Sequence, residues 1–90
     1  MFKNYLHFIH LSIQIDTIAM TKLGEYLAKK SVNKSMVARK TGLSKARINE
    51  LTMTDTAKLR LDEMYLIALA IDTDPCEMMK VLCADLVLED

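Results

Sequence analysis

The sequence contains no tryptophan, one proline, two glycines, two cysteines and two histidines among its 90 residues. These scarcities exclude several classes of function. Cys76 and Cys83 stand seven apart, two turns on a continuous helix, which separates their Cα atoms by about 10 Å. That is too far for a disulfide. They are expected to be small buried hydrophobes in a reducing compartment. His7 and His10 lie in another segment, so no metal-ligand spacing arises and no metal is expected. No glycine-rich phosphate loop and no Cys–His or Ser–His–Asp arrangement is present, so neither catalysis nor a cofactor is expected. The apolar run near the N-terminus is broken by His10, Ser12, Gln14 and Asp16. It is too short and too polar to span a membrane, and no small-x-small cleavage site follows it. A cytoplasmic location is the expectation.

What is present is a core and a charge pattern. Hydrophobic residues make up 51% of the chain, enough to build a single small domain. A domain of this size has modest stability, which dimerisation would raise. The net charge is zero, but residues 21–60 carry ten Lys or Arg and three acids, a net of plus seven. Residues 61–90 carry one Lys and eight acids, a net of minus seven. The basic half is a candidate phosphate-facing surface; the alternative is that both halves simply keep the domain soluble.

Along the chain, Ile9, Leu11, Ile13 and Ile15 alternate with polar residues at a strand-like period of two. Three readings of residues 1–20 stay open. They form a dimerisation strand that pairs with a second chain, a disordered or spurious extension upstream of a true start at Met20, or a packed helix. From Thr21 the period turns helical. Thr21 caps a first helix at about 21–30, with Lys29 and Lys30 in its last turn. A second helix spans about 34–40, with Met36, Val37 and Ala38 turned inward. Gly42 ends it in the left-handed conformation that a sharp turn requires. Leu43 fills the turn, and Ser44 caps a third helix at about 45–52 that turns Ile48 and Leu51 to the core. Asp62 is placed to cap a fourth helix at about 62–71. Its apolar circumference predicts a central helix packed on several sides. Asp74-Pro75-Cys76-Glu77 is a start signal for a fifth helix, about 75–84. Residues 86–90 form an apolar tail or continue that helix.

The stretch Lys34–Leu51 is a helix, a turn at Gly42-Leu43 and a second helix rich in Lys and Arg. Ala38 sits where the two helices cross most closely, and Gly42 follows four residues later. Val37, Leu43, Ile48 and Leu51 occupy the inward positions, and Leu66–Pro75 continues the pattern in register. On these residues the chain, from 21 to about 82, resembles the Cro and phage-repressor (XRE-type) helix-turn-helix family. The resemblance implies an all-α, five-helix repressor-like domain over 21–85 with the motif at helices 2 and 3. There are departures. Thr41 stands at a position usually apolar, Thr52 where an acid is common, and 53–60 lacks the frequent Gly and Pro.

The resemblance implies a bacterial, sequence-specific DNA-binding transcriptional regulator that binds double-stranded DNA as a homodimer, with its third helix in the major groove. Lys45, Ala46, Arg47 and Asn49 are the expected base readers. Arg or Lys donates to guanine, Asn pairs with adenine, and the Ala46 methyl meets a thymine methyl. Lys34, Ser35, Lys40 and Ser44 are the expected phosphate contacts. Repressor and antitoxin are not separable from these residues, and a toxin or co-regulator is an open protein partner. The alternative is a protein-interaction module that uses helices 4 and 5 and the apolar termini.

Overall fold

Among the described residues, four of the five helices start at a short polar side chain that accepts from a free backbone amide of the first turn. The computed structural model describes residues 20–89. The open readings of residues 1–19 lie outside the described residues. Among those described there are five helices and no strand: α1 (Lys22–Lys29), α2 (Lys34–Thr41), α3 (Lys45–Met53), α4 (Leu61–Ala70) and α5 (Pro75–Leu82). Thr21 caps α1, Asn33 α2, Ser44 α3 and Asp74 α5, each accepting from a backbone N–H in the first turn. Pro75 follows at the first helical position, where its missing N–H removes nothing. None of the five is long and apolar enough to cross a membrane.

The start of α4 departs from the sequence expectation. The helix begins at Leu61, with Arg60 rather than Asp62 at the cap position. Arg60 has no short acceptor of its own. Its backbone N–H instead donates to the Glu63 carboxylate at 2.9 Å, from three residues further on. Asp62 lies inside the first turn, where its charge suits the helix dipole.

The core draws on every helix. Leu23 and Leu27 come from α1, Val37 and Ala38 from α2, Ile48 and Leu51 from α3, Met64, Ile67 and Ala68 from α4, and Met78 from α5. Each large member contributes about 1.5–3 kcal/mol through burial. α2 packs between α3 and α4, while α1 packs on α3 and α5.

The crossing of α1 and α3 is unusually close. Thr21 donates its backbone N–H to the Thr52 carbonyl at 2.9 Å and its hydroxyl to the Leu51 carbonyl at 2.7 Å. One turn into α1, Gly24 faces that same Thr52 carbonyl, and a Cβ there would fall well inside contact distance of the oxygen. The beginning of α1 is thus stitched to the end of α3.

Two further expectations are refined. α4 does pack on two neighbours, α2 and α5, yet one side stays open: Leu61, Tyr65 and Leu69 are 74%, 52% and 50% exposed. Their spacing of four puts them on one side of the helix, and only the side bearing Met64, Ile67 and Ala68 meets the core. The cysteines are not buried either. Cys76 and Cys83 are both free and exposed, because Met78 takes the inward position of α5 and Cys83 stands at its C-terminal cap. Residues 86–89 follow as an exposed, non-helical segment.

Candidate nucleic-acid interface

The geometry of the motif is set at its turn. Gly42 adopts φ +79° and donates its N–H to the Ala38 carbonyl at 3.0 Å. Thr41 completes the closure. Its hydroxyl donates to the Val37 carbonyl at 2.7 Å and accepts from the Leu43 N–H at 3.2 Å. A threonine at this position therefore satisfies a turn amide, which an apolar residue cannot do. Ser44 then accepts from the Arg47 N–H at 3.0 Å and starts α3.

α3 is anchored along one side and open along the other. Ile48, Leu51 and Thr52 are at most 3% exposed. Thr52 tolerates full burial because its hydroxyl donates to the Ile48 carbonyl at 2.9 Å within its own helix. Lys45, Ala46, Asn49 and Glu50 are exposed. At about 100° per residue, Ala46 and Glu50 lie most nearly opposite the buried side, with Lys45 and Asn49 on one flank. Arg47 falls on the other flank, toward α4.

That placement separates Arg47 from the other three expected base readers. Its Nε donates to Glu63 Oε2 at 2.8 Å and its Nη2 to Glu63 Oε1 at 2.9 Å, a two-pronged pair. Nη2 also donates to the Lys58 carbonyl at 3.0 Å, and Nη1 pairs with Glu50. Glu63 is buried, at 4% exposure. The hydrogen bonds from Arg47 hold its carboxyl below the ordinary glutamate value of 4.5, against the opposing effect of burial. The same bonds to Glu63, and then to Glu50, raise the Arg47 guanidinium further above its already high value.

The expected phosphate contacts are spread over the motif. Lys34 and Ser35 form the first turn of α2, whose leading amides have no partner within the helix. Lys34 is half-buried and Ser35 exposed. Lys40 is exposed in the last turn of α2, and Ser44 is exposed at the cap of α3. Glu50 and Glu63 were not among the residues the sequence singled out. The only local trace of Glu63 is its place three residues after a helix cap, and Arg60 is not a capping residue type. Among the described residues, no cluster of His, Cys, Asp or Glu could hold a metal ion.

No curated protein and no solved structure matches the chain. The family model for the Cro/C1-type helix-turn-helix DNA-binding domain matches residues 22–83, from the first residue of α1 to just past the end of α5. The match covers more than half of the sequence and all five helices in order: the chain belongs to the Cro/C1-type helix-turn-helix DNA-binding domain family.

Proposed function

We propose that this protein is a sequence-specific transcriptional regulator, of phage-repressor or antitoxin type, that binds double-stranded DNA as a homodimer. The observation that carries this reading is the anchoring of α3. Ile48, Leu51 and Thr52 fix it to the core while Lys45, Ala46 and Asn49 face outward from the first turns of the helix. A helix held in this way fits the major groove, where base edges display distinguishable donors and acceptors. Lys45 donates to guanine, Asn49 pairs with adenine, and the Ala46 methyl meets thymine. Lys34, Ser35, Lys40 and Ser44 bind backbone phosphates and set the register. Such a regulator works in the cytoplasm of a bacterial cell, and the proposal includes no catalytic step.

Gel shift and in-vitro selection of bound DNA test the reading together. Affinity is expected to fall steeply with salt as counterions are released. Lys34→Ala should weaken all sequences alike and reduce the salt slope by about one. Absence of binding at low salt would rule the reading out.

One observation favours a second reading. Leu61, Tyr65 and Leu69 on α4, with Val81 and Leu86 to Leu88 beyond, leave large apolar side chains exposed. They suit a protein partner, whether a second copy, a toxin or a co-regulator. A pure interaction module would bind such a partner yet show no salt-dependent affinity for DNA.

A further inference from the structure

The Arg47–Glu63 pair joins three parts of the chain that are separate in sequence. Arg47 belongs to α3, Glu63 to the first turn of α4, and the Lys58 carbonyl to the connection between them. Glu63 also receives the Arg60 N–H, so one buried carboxylate closes α4 and holds the guanidinium. A planar guanidinium offers five donors in a fixed fork. Here Nε and Nη2 lie on Glu63, Nη2 also reaches the Lys58 carbonyl, and Nη1 lies on Glu50. The edge an arginine would present to guanine O6 and N7 is therefore already occupied by protein acceptors. Breaking a two-pronged bond to a buried carboxylate would leave that charge with the Arg60 N–H alone, a cost greater than the typical gain from one base contact.

We propose that Glu63 and Arg47 are positioning residues: Glu63 keeps Arg47 off the bases, and Arg47 braces α3 and the 54–60 connection at a fixed angle to α4. Base reading then falls to the open side of α3. Glu63 thereby shapes specificity by withdrawing a guanine-reading donor from the groove. This inference rests on the DNA-binding reading above and adds a role to residues outside the contact surface.

The test is in-vitro selection of bound DNA with the wild-type chain, Arg47→Ala, Glu63→Gln and the double variant, each checked for helical content by circular dichroism. Arg47→Ala is expected to keep every base preference of the wild type and to lose affinity evenly, by a few-fold. Glu63→Gln retains an acceptor for the Arg60 N–H but removes the charge. It is expected to gain a guanine preference at one position of about five- to a hundredfold, the range of a two-pronged base contact. The double variant should lose that gain. Loss of a guanine preference in Arg47→Ala alone would overturn the inference, as would an unchanged preference in a folded Glu63→Gln. If Glu63→Gln does not fold, Arg47→Ala decides; if Arg47→Ala does not fold, Arg47→Met, which keeps most of the stem, decides in its place. A wild-type chain that binds no DNA overturns the functional reading and this inference with it. Binding with preferences altered against expectation overturns the inference alone.

Discussion

Gly24 sits inside α1 where helix propensity alone would favour alanine by about 1 kcal/mol. The structure reverses that sign. A methyl group at residue 24 would press on the Thr52 carbonyl, which is backbone and cannot swing aside. Gly24→Ala is therefore expected to destabilise the protein by about 1–2 kcal/mol, the scale of overpacking a close crossing. Thermal unfolding should show a midpoint about 5–10 °C lower; an equal or higher midpoint contradicts the close crossing. Nothing near residue 24 announces this, because the carbonyl it meets lies 28 residues along the chain. Gly42 was legible for the opposite reason. Its φ of +79° is required by the turn it ends, and the turn is spelled out by its neighbours. Thr41 and Thr52 show a third case. Both depart from the family pattern, and both are accommodated by hydroxyl bonds to the preceding turn of their own helices.

At the scale of the element, helix starts were legible where a cap is a local matter. Thr21, Ser44 and Asp74 each carry the acceptor within a few residues of the amide it satisfies. The start of α4 carries no such local mark, because its acceptor comes from inside the helix, at Glu63. The open side of α3 was legible, but the pairing of Arg47 was not. Helical spacing identifies which side of α3 is open, but not that Arg47 is drawn to a carboxylate sixteen residues away. The pair makes the start of α4 sensitive to acid. The Glu63 carboxyl titrates below its unfolded value of 4.5. Its contribution is therefore fully present above that pH and is lost as the pH falls through the lower native value. Glu63→Gln is expected to cost about 1 kcal/mol near neutrality, allowing for the partly open side of the pair. Unfolding midpoints of the two proteins should converge below pH 4.5 and stay apart above it. A gap that persists to pH 2.5 would show that the carboxylate charge contributes nothing.

For the whole molecule, the exposed apolar side of α4 is the surface on which to test the proposed homodimer. Tyr65→Lys and Leu69→Lys add charge to exposed positions and leave the core side of the helix untouched. Sedimentation should show a dimeric wild type and monomeric variants of unchanged helical content. Variants that remain dimeric would move the interface elsewhere. The division of charge has a different consequence. Lys and Arg crowd α1 to α3 and the connection after them, carboxylates crowd α4 and α5, and the total is zero. A neutral body of this kind feels little net pull from a distant polyanion. What the field exerts on it is a torque. Near DNA the protein is turned before it is drawn in, basic helices first, and the range of that turning is cut to about 10 Å by ordinary salt. The encounter is thus short in reach but biased in orientation, and in the proposed binding mode that bias favours the face that carries α3.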